Sequence, residues 1–237
     1  MATPPKGLLL DYGGTLVEEV GFDPRAGHEL LLARATVRPK DVTLEKVLDR
    51  ANRVGADVAA RRDQFQLETP WATLTNLVYD YFGIRFADSM AELEMAFWKA
   101  SVTTRSMPGA REALEEFHKC GVRIAVVSNC SFRHEVIQYE FAKYGLAERL
   151  EFVMVSAEYA VRKPHPLLFE TAAARLGVKP GDIWFVGDRL DTDVAGAKAA
   201  GMTAVWFCPS TSERLHSADV TATGWADLVH QFQRGGQ

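Results

Sequence analysis

Four residues far apart in the sequence carry the chemistry of a phosphoryl-transfer centre: Asp11, Ser128, Lys163 and Asp188. Asp11 offers a carboxylate that can attack phosphorus, and Asp188 offers a second carboxylate. An anionic nucleophile can approach an anionic phosphoryl group only if a cation screens both. Magnesium takes oxygen ligands and keeps several waters, so one or two carboxylates hold it, and Asp11 and Asp188 are the expected pair. A hydroxyl and an ammonium then hold the other phosphoryl oxygens, over which charge spreads in the transition state. Ser128 and Lys163 fit those parts. The cation and Lys163 together would keep Asp11 ionised, as a nucleophile must be. Asp193 is expected to reach the metal through water or to hold Lys163.

Such residues need a scaffold that brings them to one place, and the sequence contains one. Short apolar runs recur at Leu8–Leu10, Arg123–Ser128, Phe152–Val155, Ile183–Gly187 and Thr203–Phe207. Their hydrophobicity is continuous rather than alternating, which predicts strands buried on both faces, as in a parallel sheet. In open sheets of this kind chemistry gathers beyond the carboxyl ends of the strands. Asp11, Ser128 and Asp188 all stand there.

Helix punctuation separates the runs. Pro108 opens a helix with Ala110, Leu114 and Phe117 on one face, and Gly121 closes it. Pro166 opens another, with Phe169, Ala172, Ala173 and Leu176 inward and Gly177 as the stop. A third runs from about Asp193 to Gly201. The repeat predicts an α/β fold, a three-layer doubly wound parallel sheet. Residues 19–103 read differently. Leu30 to Leu32, Val42 to Val54, Trp71 to Phe82, and Phe97 with Trp98 have helical spacing and almost no strand signal. They predict an all-α domain inserted after the first strand, with residues 1–18 and 104–237 forming the α/β core.

Composition narrows the partners. A chain of 237 residues with 47% hydrophobic residues can hold a core without disulfides or a structural metal. A net charge of −4 argues against nucleic acid, whose backbone calls for a basic face. Cys120, Cys130 and Cys208 are odd in number and form no CxxC pair, which fits a reducing cytoplasm. The early triplet Leu8–Leu10 is too short for a signal peptide or a membrane span. The expected partner is a small phosphorylated molecule rather than nucleic acid or a membrane.

The ordered motifs resemble those of the haloacid dehalogenase superfamily. Asp11-Tyr12-Gly13-Gly14-Thr15-Leu16 is similar to its first motif, normally Asp-x-Asp-Gly-Thr-Leu. Ser128-Asn129 resembles the second and Lys163-Pro164 the third. Gly187-Asp188 through Asp193, leading into Ala195 to Met202, matches the fourth. Met107-Pro108-Gly109-Ala110 resembles the family's return from a helical cap. Any one of these motifs is weak, but four in order are strong. The resemblance implies a magnesium-dependent hydrolase of phosphatase type acting through an aspartyl-phosphate on Asp11. It further implies Ser128, Asn129 and Lys163 at the phosphate, and Asp11, Asp188 and the Gly13 carbonyl at the metal.

One position departs from the pattern. The family's phosphatases carry a second aspartate two residues after the nucleophile, which protonates the leaving oxygen and later activates water. Here that residue is Gly13. Losing a positioned general acid–base slows a reaction by roughly 10²–10⁴, about 3–5 kcal/mol of barrier. Alkyl phosphates would suffer most, and acyl or aryl phosphates far less. Glu18, Glu19 and His28 lie just downstream as possible replacements. Gly13 also motivates a different class of reading, a non-catalytic regulatory protein that keeps a phosphate and magnesium cradle. Dehalogenases and phosphonatases lack the second aspartate too. Dehalogenases, however, place an aromatic residue at the second position, whereas Tyr12 stands at the first. The phosphonatase Schiff-base lysine has no motif around Lys46 or Lys99.

Simpler roles stand beside these. Ser128 and Asn129 could cap the following helix. Asp191 could do the same, and Arg189 could form a solvent-facing ion pair. Trp71, Tyr79, Tyr81, Phe82 and Trp98 are expected in the helical domain's core. Cys130 carries no mark of a reactive thiol, and His165 reads as a loop residue.

Overall fold

Leucine, valine and isoleucine runs with no polar break can be buried only between two layers, and the structure puts them there. The computed structural model describes residues 3–208 and 217–235. The chain begins with β1 (Gly7–Leu10) and β2 (Val17–Phe22). It continues through α1 (Pro24–Arg34), β3 (Ala35–Val37), α2 (Leu44–Phe65), α3 (Trp71–Tyr79), β4 (Arg85–Phe86) and α4 (Met90–Ser101). It returns through β5 (Val102–Ser106) to α5 (Ala110–Lys119), β6 (Arg123–Ser128), α6 (His134–Tyr144), β7 (Val153–Val155) and α7 (Pro166–Leu176). Then follow β8 (Ile183–Gly187), α8 (Ala195–Ala199), β9 (Thr203–Phe207), β10 (Val220–Ala222) and α9 (Trp225–Gly235).

Six strands form one sheet in the order β10-β9-β8-β1-β6-β7, and all five neighbouring pairs in it are parallel. Alternate residues of β1 serve opposite layers. Leu8 and Leu10 pack with Leu114, Phe117, Phe141 and Trp225, whereas Leu9 packs with Phe169, Phe185 and Ala197. This is the expected three-layer doubly wound sheet. The expected helix faces of α5 and α7 are buried, and Gly177 closes α7 at φ +68°. The short edge strand β10 lies beyond the five anticipated runs.

Residues between β2 and β5 have their own apolar cluster, including Leu31, Val47, Trp71, Tyr79 and Phe97. Helices α1 to α4 dominate this region, accompanied by a short antiparallel pair, β3–β4, which the helical spacing did not separate out. The antiparallel ribbon β2–β5 joins it to the sheet, with a register shift between Glu19 and Gly21. The expected boundaries at 18/19 and 103/104 fall inside these two strands. Tyr81, expected in the helical core, is 66% exposed and carries the Arg50 guanidinium over its ring. Among the described residues no helix is long and apolar enough to cross a membrane.

Candidate active site

The centre of the sheet sets the position of Asp11. Leu10 is paired with Val126 on one side and Val186 on the other. The Asp11 amide then donates to the Val186 carbonyl at 2.9 Å, so the residue leaves the sheet between β6 and β8. Its carboxylate folds back to accept from the Tyr12 amide at 2.8 Å. The chain turns sharply at Gly14, whose φ of +68° favours glycine. A Cβ at Gly14 would also stand 2.5 Å from Asp188 Oδ2, so the missing side chain lets the loop lie against that carboxylate.

Lys163 supplies the cation. It is 2% exposed, with Nζ 2.8 Å from Asp11 Oδ1 and 2.6 Å from Asp193 Oδ1. Burial pulls the ammonium pKa down, but the two carboxylates outweigh it and the net direction is upward. Asn129 holds the lysine in place from the end of β6. Its Nδ2 donates to the Lys163 carbonyl at 2.9 Å, and its Oδ1 accepts from the Lys163 amide at 2.7 Å. The Asn129 carboxamide, expected at the phosphate, is therefore committed to the backbone of the lysine loop. Ser128 and Asn129 do not cap the next helix either, because α6 begins only at His134 with Arg133 at its N-cap.

Asp193 sits in a π-helical turn, Leu190–Val194, and accepts from the Arg189 amide at 3.0 Å. Burial lifts its carboxyl above the ordinary range; the Lys163 ammonium opposes this and the Asp11 charge adds to it. The carboxyl lies directly over Gly187, where a Cβ would meet Asp193 Oδ2 at 2.3 Å. The glycine before Asp188 thus makes room for the second aspartate of the same motif. Asp188 is positioned by its carbonyl, which accepts from Trp206 Nε1 at 2.9 Å. Burial, then the Asp11 charge, raise the Asp188 carboxyl.

Asp11, Asp188 and Asp193 each present an oxygen, all within 4.8 Å of one another. Three carboxylates share this space with one ammonium, an excess of negative charge that suits a divalent cation with oxygen ligands. A cavity of about 780 Å³ opens above them. It is lined by Asp11, Gly13, Ser128, Asn129, Lys163 and Asp188. A Cβ at Gly13 would meet nothing within 4 Å, so the departure from the motif leaves open space.

Other side chains reach the cavity without any sequence signal. Arg62 and Gln66 enter from the end of α2 and Arg162 from beside Lys163. The inserted region is strapped down at this edge. Arg162 N donates to Gln66 O at 3.0 Å, Glu68 N to Ala160 O at 2.9 Å, and Trp71 N to Ser131 O at 2.8 Å. The buried Glu68 carboxylate accepts from Ser131 and Ser156 and pairs with Arg162 at 3.4 Å. Arg189 and Asp191 form an exposed ion pair at 2.9 Å, as expected of Arg189, and Asp191 is spent on it rather than on a helix cap. Burial pushes the Cys130 thiol up, away from reactivity. His165 does more than fill a loop, since its Nδ1 accepts from the Leu167 amide at the start of α7.

Comparison with known proteins supplies independent findings. The sequence profile of haloacid dehalogenase-like hydrolases matches residues 5–201. A ribulose-1,5-bisphosphate 5-phosphatase of Halopiger xanaduensis is 36% identical over 141 residues, which are 59% of this chain and 58% of the relative. A glyceraldehyde 3-phosphate phosphatase of Pyrococcus furiosus is 38% identical over 104 residues, 44% of this chain and 42% of the relative. The chain thus spans about half the length of the curated relatives it matches. In fold it is similar to an HAD phosphatase from Thermococcus onnurineus (TM-score 0.61, 22% identity, covering 95% of this chain and 96% of that one). It is also similar in fold to a 2-haloacid dehalogenase from Pseudomonas syringae (TM-score 0.66, 18% identity, 99% of both chains).

Proposed function

The chain belongs to the haloacid dehalogenase-like hydrolase family, and on that premise we propose a magnesium-dependent phosphatase for a small phosphorylated metabolite. The observation that carries the reading is the Lys163 ammonium held between Asp11 and Asp193, with Asp188 completing the acidic cluster under the cavity. The phosphatase names of the two relatives support it.

The donor set fits Mg²⁺, because the Asp11, Asp188 and Asp193 oxygens converge, and Asp11 and Asp188, with the Gly13 carbonyl that the family resemblance implies, would hold it as hard oxygen ligands. When bound, the ion screens the nucleophile from the phosphoryl charge and polarises the phosphoryl oxygens. The Asp11 carboxylate attacks phosphorus, the bond to the leaving oxygen breaks, and an aspartyl-phosphate forms. Water then attacks that phosphorus, releases inorganic phosphate and restores Asp11. Through both steps Lys163 and the Ser128 hydroxyl hold the phosphoryl oxygens. Lys163 also pairs with the Asp11 carboxylate at 2.8 Å, and Asp193 fixes the lysine. Asp11, Ser128, Lys163 and Asp188 line one cavity, where a phosphoryl group would meet the nucleophile, the hydroxyl and the ammonium together, which is why the reading is phosphoryl transfer.

The test compares wild type with Asp11→Asn on an aryl phosphate, with and without magnesium. Metal-dependent turnover abolished by the substitution is the expected result, and equal turnover by both proteins would refute it. The open space at Gly13 favours a second reading, a phosphate-binding protein without turnover. Retained phosphate binding with no hydrolysis of acyl, aryl or alkyl phosphates would select that one.

A further inference from the structure

We infer that Glu19 is the general acid and base of this site, taking the place of the carboxyl absent at position 13. The inference rests on the phosphatase reading above and deepens it.

Three nearby groups could have served, and the structure separates them. His28 does not line the cavity. It is buried in the helical region, with Nδ1 2.8 Å from the Tyr79 hydroxyl and its ring edge-on to Phe97. Glu18 reaches the cavity wall but is bound to Arg105 at 2.5 Å. Glu19 also lines the cavity, and among the described residues its carboxylate has no hydrogen bond or ion pair.

The ribbon β2–β5 explains the division. Directly opposed residues on an antiparallel pair share one face, and successive residues take opposite faces. Glu18 opposes Arg105 and pairs with it. Glu19 opposes Thr104, whose buried hydroxyl donates to Glu140 Oε2 at 2.6 Å. Glu19 therefore shares the face that looks back toward Tyr12 and the nucleophile loop, and the bulge immediately after it ends that alternation. The ribbon is also the stem that leads from the sheet to the helical region. Glu18 and Glu19 carry it to the cavity wall.

The surroundings suit a proton donor. Glu19 is exposed on β2, yet desolvation on its cavity side, then the charge of Glu140, raise its carboxyl above the ordinary value. A general acid works best with a pKa moved toward the working pH. Glu140 acts on Glu19 from α6, and Tyr12 and Cys130 lie within the field of Glu19, while Lys143 pairs with Glu140 and Arg62 lines the same cavity from α2. A Cβ at Gly13 would meet nothing within 4 Å, so the space at that position is open.

The proton balance closes. As Asp11 attacks and the phosphorus–oxygen bond breaks, the Glu19 carboxyl gives its proton to the leaving oxygen. The resulting carboxylate takes a proton from the water that attacks the aspartyl-phosphate, and Glu19 returns to its starting state.

The experiment compares wild type, Glu19→Gln and Glu18→Gln across alkyl, aryl and acyl phosphates. Glu19→Gln should lower turnover of an alkyl phosphate by roughly 10²–10³, and of the acyl phosphate far less at the first step. It should also make the aspartyl-phosphate accumulate, because the water loses its base, and erase the fall in rate at high pH. A purely structural role would not produce this dependence on the leaving group. If Glu19→Gln turns over alkyl phosphates like wild type, or if Glu18→Gln shows the pattern instead, the assignment is overturned and the phosphatase reading stands. Absence of Asp11-dependent turnover in wild type would overturn both.

Discussion

Asn129 and Lys163 exchange two hydrogen bonds, the Asn129 carboxamide donating to the lysine carbonyl at 2.9 Å and accepting from the lysine amide at 2.7 Å. The bonds fix the backbone from which the ammonium reaches Asp11. Asn129→Ala removes both and should lower kcat by about 10–100-fold, the range typical of residues that orient an active group. Lys163 itself remains, so the loss should stay well short of that in Lys163→Ala. Steady-state kinetics on one aryl phosphate checks the order.

Lys163 and Asp193 are both buried, at 2.6 Å. Removing one partner strands a charge in a poor solvent, which costs about 3–5 kcal/mol. Lys163→Met should therefore destabilise the fold by that amount as well as abolish activity. The double change Lys163→Met with Asp193→Asn should recover part of the stability and none of the activity. Urea unfolding of the four proteins measures the coupling, and simple additivity would contradict it.

Gly13 has no positive φ and nothing within 4 Å of a built Cβ, so a side chain fits there without strain. In the Glu19→Gln background, Gly13→Asp should restore turnover of alkyl phosphates by about 10-fold or more, part of the 10²–10⁴ that a positioned acid–base supplies. Acyl phosphates should gain little. No gain on any substrate would show that the leaving group does not sit beside this position.

Glu94 on α4 is 1% exposed, accepts from the Arg133 amide at 2.9 Å, and leaves its second oxygen without a partner. Burial raises its pKa from the ordinary 4.5 to about 7. The folded state therefore binds this proton more tightly than the unfolded chain does. The associated stability is complete below about pH 4.5 and is lost as pH rises toward and through about 7, on the order of 3 kcal/mol in all. Glu94→Gln should flatten that part of the stability profile, as denaturant midpoints between pH 4.5 and 8 would show. An unchanged slope would mean that the carboxyl is hydrated.

The strands were legible because burial on both faces leaves an unbroken apolar run, as in Ile183 to Gly187. β10 was not, because three residues of mixed polarity at a sheet edge carry no such pattern. The clustering of Asp11, Lys163, Asp188 and Asp193 followed from strand order, since parallel strands deliver their ends to one edge. The direction of the Asn129 carboxamide did not follow, because it depends on a loop 34 positions away that docks beside it. Arg62 and Gln66 belong to no motif in the sequence. Their place in the cavity comes from the docking of residues 66–71 on the core, a tertiary contact without a local signature.

The central place of β1 has a consequence for how the protein is made. Its three leucines leave the ribosome among the first residues of the fold, yet both neighbouring strands are encoded far downstream, at 123–126 and 183–186. At about 5–20 residues per second, the segment waits some ~10–35 s for its second partner. Until then Asp11 has no carbonyl to receive its amide, and the nascent chain exposes a greasy segment of the kind that chaperones shield. The nucleophile is thus synthesised well before the strand that completes its seat.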